Sequence, residues 1–129
     1  MPNAELLQMI KEDLDGWNAW RGRNPDAEVD LSEADLERTD LAVADFSGAN
    51  LRGANLIMAN LKAADLRGAD LSGANLVGAR MIGVDLVNAD LSGADLRTAE
   101  DLTAEQLAET KGDAKTQLPD GVEAPASWL

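Results

Sequence analysis

From Leu31 to Leu96 a large apolar residue returns at every fifth position. The series is Leu31, Leu36, Leu41, Phe46, Leu51, Leu56, Leu61, Leu66, Leu71, Leu76, Met81, Leu86, Leu91 and Leu96. Two positions before each stands a small residue, usually Ala, and Asp or Asn nearly always lies between. An α-helix rotates about 100° per residue, so a step of five spreads the series over every face. A β-strand alternates with period two, so an odd step sends successive leucines to opposite sides. Neither element buries the series. A chain that turns once per pentapeptide and winds into a coil does, because each fifth side chain then points to one axis. Neighbouring coils pair through backbone hydrogen bonds about 4.8 Å apart. Gly48, Gly53, Gly68, Gly73, Gly78, Gly83 and Gly93 all fall two residues after the large one, where a turn needs φ > 0. The period leaves the number of sides per coil open.

Composition narrows the function classes. The 129 residues suffice for one domain, and they include no Cys, His or Tyr. Disulfides, thiolate metal sites and His- or Cys-based nucleophile systems are thereby excluded. No apolar run approaches the roughly 20 residues of a membrane span. The N-terminus lacks a basic segment followed by an apolar one, so a cytoplasmic protein is expected. The net charge of −13 is spread along the chain: residues 30–100 carry twelve acidic and six basic side chains, and both flanks are also acidic. Phosphate binding needs a basic patch, so no direct nucleic-acid contact is expected.

The segment from Asp30 to Glu100 resembles the pentapeptide-repeat family, whose pattern is A-(D/N)-L-x-x. Ala34-Asp35-Leu36, Ala54-Asn55-Leu56, Ala64-Asp65-Leu66, Ala69-Asp70-Leu71 and Ala94-Asp95-Leu96 carry the resemblance. Departures are mild: Val29, Thr39 and Val84 stand in place of Ala, and Arg80 in place of Asp/Asn. The resemblance implies an all-β solenoid, a right-handed quadrilateral β-helix with four pentapeptides per coil. Fourteen units then make about three and a half coils. Trp17-Asn18-Ala19-Trp20-Arg21 followed by Asn24-Pro25 resembles a leader of bacterial members, notably cyanobacterial ones, and the tail with Leu118-Pro119-Asp120-Gly121 and Trp128 resembles a common family C-terminus.

Three segments follow: a leader and capping helix over 1–28, the repeat over 29–100, and a C-terminal cap and tail over 101–129. Residues 4–21 read as one amphipathic helix, with Leu6, Leu7, Ile10, Leu14, Trp17 and Arg21 at three- or four-residue steps and Asn3 as N-cap. Trp20 extends that face, and the indoles of Trp17 and Trp20 are expected to cover the first coil. The five-step fails at Asp101. Thr103-Ala104-Glu105-Gln106 is a capping box, predicting a helix from 104 to about 110 stopped by Gly112. Leu118 and Trp128 are expected to lie on the last coil.

Blocks of twenty residues place Asp45, Asp65 and Asp85 in one column, and Asp30, Asn50, Asp70 and Asp90 in another. The columns follow from the repeat itself, and no metal, cofactor or catalytic residue is assigned. The outward positions are mostly polar, but Ile57, Met58, Val77, Ile82 and Val87 break that habit, with Val43 a further candidate. Clustered exposed apolar residues mark interaction surfaces. A non-enzymatic module for an unidentified protein partner is therefore expected, as a monomer, with a dimer through the apolar face as the alternative. Two further readings remain. The resemblance implies one, since some family members are acidic DNA mimics acting on type II topoisomerase; the other is a structural spacer without a specific ligand, which no residue contradicts. Three and a half coils span only ~17 Å, or about five base pairs of duplex at roughly 3.4 Å each, which weighs against mimicry.

Overall fold

The computed structural model describes residues 4–128. Its order is α1 (Ala4–Glu12), α2 (Leu14–Arg23), the repeat, α3 (Ala104–Leu107) and a final 3-10 turn (Ala126–Trp128). Within the repeat every ladder step joins residue i in parallel to residue i+20: Asp30 to Asn50, Asp35 to Asn55, Asp40 to Asn60 and Asp45 to Asp65, and so on to Arg80 and Glu100. The chain thus returns to the same line after four pentapeptides. Every large residue of the series is buried, none more than 1% exposed. The flanking alanines are buried with them, while Thr39 at the same position is half-buried.

Each pentapeptide meets its polar requirements partly within itself and partly on the coils before and after it. The large residue donates its N–H to the next coil, as Leu31 does to Asn50 O at 2.7 Å. The residue two further on does the same, as Glu33 to Arg52 O at 2.8 Å. The small residue donates back across the turn, Ala34 to Leu31 O at 3.1 Å, and the Asp/Asn donates to the preceding coil, Asn50 to Val29 O at 2.8 Å. One N–H remains, on the residue just after the large one. The Asp/Asn side chain takes it: Ser32 N–H to Asp30 Oδ1 at 3.0 Å, Ile57 to Asn55 Oδ1 at 3.1 Å, Arg67 to Asp65 Oδ1 at 3.1 Å. Unpaired backbone groups are costly wherever water is scarce, so a side-chain acceptor at this position stabilises each turn that carries one. Asp and Asn serve equally because both offer Oδ1. Arg80 has no acceptor, and the Ile82 N–H goes without this bond.

The third residue of each turn has φ near +60° whether or not it is glycine. Gly48 and Gly68 have φ of 67° and 66°, and Glu33, Arg38, Val43, Met58, Ala63, Asn88 and Thr98 adopt the same conformation. Val43 is the most strained, since a β-branched side chain at φ 66° crowds its own backbone. The left-handed conformation costs an L-residue roughly 1–2 kcal/mol, and a glycine's extra unfolded-state entropy costs roughly 0.5–1 kcal/mol. Val43→Gly is therefore expected to raise stability by about 1 kcal/mol, measured as a higher urea midpoint at unchanged m-value. A lower midpoint would mean that the exposed valine side chain makes a stabilising contact.

The N-terminal helix differs from expectation. It is broken at Asp13, whose carboxylate accepts from Gly16 N–H at 3.0 Å and starts a second helix. The apolar spacing runs unbroken through the kink, which is why one helix was predicted from it. The expected N-cap Asn3 lies outside the described residues. α3 is shorter than predicted, ending at Leu107, although both bonds of the Thr103–Gln106 capping box are present. Gly112 does not stop it. A Cβ there would strike the indole of Trp128, so Gly112 makes room for that ring. The tail also does something the sequence reading missed. Lys111 pairs with Asp90 and Gln117 with Asp95, extending two of the ladders. Asp101, at φ 61°, absorbs the extra residue that turns Leu102 inward.

Candidate functional site

Two kinds of surface leave the solenoid: its first edge, met by α2, and its corners. At the first edge, side chains take the places of a missing coil's backbone. Asn18 Oδ1 accepts the Asp45 N–H at 2.8 Å, and its Nδ2 donates to Val43 O at 3.0 Å. Trp17 Nε1 donates to Asp45 O at 3.0 Å, and Arg21 Nη2 to Ser47 O at 2.5 Å. Arg21 is 3% exposed, with Nε 3.9 Å from the Asp45 carboxylate. Trp17 is fully buried between Trp20 and Phe46, at ring-centre separations of 5.6 and 5.9 Å. The tryptophans of the leader are thus spent inward, Trp17 completely and Trp20 in part. At the other end Trp128 is buried, its Nε1 donating to Thr110 O at 3.2 Å, and Leu118 packs half-buried against the core.

The apolar corner residues divide. Val43, Met58, Ile82 and Val87 are exposed, at 63%, 50%, 48% and 37%. Ile57 and Val77 are half-buried, and the twenty-residue ladder offset places one above the other. Met58 N–H donates to Val77 O at 2.9 Å, so these three share one corner. Val43 and Ile82 stand on the next corner, separated by the Lys62–Ala63 level between them. Val87 occupies the corner after that. The surface is therefore a band running round three corners.

The acidic columns are as the blocks of twenty place them: Asp45 to Asp65 to Asp85, and Asp30 to Asn50 to Asp70 to Asp90. Arginines pair with these columns and with the two neighbouring ones, which run from Asp35 to Asp95 and from Asp40 to Glu100. Arg67 grips Asp65 with Nε at 2.9 Å and Nη2 at 2.7 Å, and Arg97 grips Asp95 in the same way. Arg52 reaches Asp70 at 3.4 Å and Arg80 reaches Glu100 at 3.8 Å. Among the described residues no three acidic side chains converge as a metal site would require.

These arginines also lower two carboxyl pKa values. The hydrogen bond from Arg67 holds the Asp65 carboxyl below its ordinary 3.8 against the opposing push of burial, and Arg97 does the same for Asp95. A carboxyl depressed in the folded state contributes stability above its unfolded value and loses it as pH falls through the folded value. The thermal midpoint is expected to change little from pH 8 to 5, where the absence of His leaves few groups to titrate. It should fall modestly below about pH 4, since the pairs are largely exposed, and Arg67→Gln should lessen the fall. Circular dichroism melts across that range measure both, and an acid slope unchanged by Arg67→Gln would remove this pair as its cause.

Comparison with known proteins places the repeat. The family described as pentapeptide repeats (8 copies) matches residues 30–68 and 59–98. Among solved structures, the chain is similar to a pentapeptide repeat protein (Rfr23) from the cyanobacterium Cyanothece 51142, with 36% identity and a TM-score of 0.61 over 69% of this chain and 60% of that one. It spans, then, about three-fifths of that relative's length. It also matches HetL, a pentapeptide repeat protein involved in heterocyst differentiation regulation in the cyanobacterium Nostoc, at 30% identity and a TM-score of 0.47, over 72% of this chain and 46% of that one. A pentapeptide repeat protein of the Arabidopsis thaliana thylakoid lumen matches at 44% identity and a TM-score of 0.43, over 51% of this chain and 49% of that one. No curated protein matches the chain.

Proposed function

The chain belongs to the pentapeptide repeat family, whose fold is a right-handed β-helix solenoid, and from that premise we propose that it is a non-enzymatic protein-interaction module. The observation that carries this reading is the band of exposed apolar side chains, Val43, Met58, Ile82 and Val87, with the half-buried Ile57 and Val77 between them. They stand on a frame whose backbone groups are engaged in ladders and turns, so the side chains are held in fixed relative positions. A preorganised apolar surface loses little entropy on association. In the same reading the solenoid is four-sided with about three and a half regular coils, and α2 with the leader and α3 with the tail are its caps. Covered ends favour a monomer, with a dimer through the apolar band as the alternative; a cytoplasmic setting belongs to the same proposal. No helix among the described residues is long and apolar enough to cross a membrane.

Mimicry of DNA has less support, because arginines pair with the acidic side chains: Arg52 with Asp70, Arg67 with Asp65, Arg80 with Glu100 and Arg97 with Asp95. A spacer without a ligand leaves the apolar band unexplained. The test is affinity capture from the host lysate with the wild type beside a Met58→Gly/Ile82→Ser variant. Both substitutions suit their backbone positions, and circular dichroism checks that the variant is folded. A protein held by the wild type and lost with the folded variant is the expected result. Undiminished capture would reject the band, and recovery of a type II topoisomerase with potent inhibition of supercoiling would reinstate the mimic.

A further inference from the structure

Between the last regular corner and α3 the surface carries a groove. One wall is the strip 83–87; the other is Glu105, Gln106, Ala108 and Glu109. Gln106 holds the walls together, its Nε2 donating to Met81 O at 2.8 Å and Val84 O at 3.1 Å, and the Asn88 N–H donates to Glu109 O at 2.7 Å. Its shape is therefore fixed at both ends. Its lining combines the exposed Val87 and Ala108 with the carboxylates of Asp85, Glu105 and Glu109. Among the described residues the cation paired with the lining is Arg67, 3.8 Å from Asp85, and its guanidinium is already bound to Asp65 at 2.7 Å. Among the described residues no ion pair engages Glu105 or Glu109.

We propose that this groove receives a cationic segment of a protein partner, with Lys or Arg heads on the three carboxylates and an apolar stem or neighbour on Val87. The proposal rests on the interaction reading and gives the partner its chemistry. Three facts favour this occupant. Phosphate-bearing ligands are repelled by the carboxylates. The acids do not converge closely enough to hold a metal ion, whereas a long side chain with an aliphatic stem and a charged end spans an apolar floor and an acidic rim. A second copy of the chain carries net charge −13 and is repelled.

The probe is a short fluorescent peptide of alternating Arg and Leu, titrated into the full chain at low and at physiological salt. Two variants carry the same change in charge: Asp85→Asn/Glu105→Gln/Glu109→Gln in the groove, and Asp35→Asn/Asp40→Asn/Asp120→Asn away from it. Asn keeps the turn acceptor at 35, 40 and 85, so the repeat's own hydrogen bonds are preserved. The groove variant is expected to weaken binding roughly tenfold or more, with the control within about twofold of wild type. Backbone amide shifts on binding should centre on 83–87 and 105–109. Equal weakening in both variants would mean attraction to net charge alone and would overturn the proposal, as would absence of binding. Such a failure alongside capture that still depends on Met58 and Ile82 removes the groove and leaves the interaction module standing; loss of both removes both.

Discussion

Trp17→Ala is expected to lower stability by about 3–5 kcal/mol, the range for removing a fully buried aromatic side chain. Three losses combine. The indole leaves a cavity between Trp20 and Phe46. Its Nε1 no longer satisfies Asp45 O. The edge beneath it then presents an unpaired acceptor beside exposed core, which invites pairing with another chain. Urea unfolding gives the energy, and size-exclusion chromatography at rising concentration shows self-association. A midpoint shift below about 1 kcal/mol would mean that α2 is a loosely held appendage and that the first coil stands without it.

Leu61→Ala is expected to cost about 2–5 kcal/mol. Leu61 is 0% exposed and sits at the middle of the stack, with Leu41 on one side and Met81 on the other at the same point of the coil. The ladder fixes the backbone spacing, so neighbouring coils cannot close the void. Repeat proteins are stabilised largely by contacts between adjacent units, so one weak level lowers the cooperativity of the whole. Ile82→Ser, on the outside, serves as the contrast and should stay within about 0.5 kcal/mol. Comparable losses at the two positions would contradict the burial pattern.

The repeat was legible because one residue in five carries its whole geometric meaning. Leu61 points inward, Asn60 supplies the turn acceptor, and a twenty-residue offset brings Asp45, Asp65 and Asp85 into line. Legibility ended where the period did. Lys111 lies twenty-one residues after Asp90, and Gln117 twenty-two after Asp95, so their ladder pairing has no trace in a fixed-period reading. The break at Asp13 had a signal, an Asp three residues before Gly16, but the continuous apolar spacing from Ile10 to Trp17 hid it. The exposure of Ile57 and Val77 was overstated for a different reason. Sequence assigns a side chain to the outside, but its degree of exposure depends on the surrounding coils, and both residues are half-buried. The groove beside α3 was missed altogether. Asp85, Glu105 and Glu109 look like ordinary members of an acidic chain until the loss of regular coiling at 101–104 sets Glu105 and Glu109 opposite Val87.

Because every pentapeptide makes the same bonds to the coils before and after it, adding or removing units changes the bearing of one end relative to the other while repeating the same interior. Twenty inserted residues would lengthen the axis and leave the α2 contact at Asp45 and the wall at Asp85 on the same side. Five would swing everything downstream by a quarter turn. Inheritance by tandem duplication therefore has two outcomes of different kind. One adjusts reach; the other reorients whatever the far end presents, as an indexing mechanism advances a tool by one station.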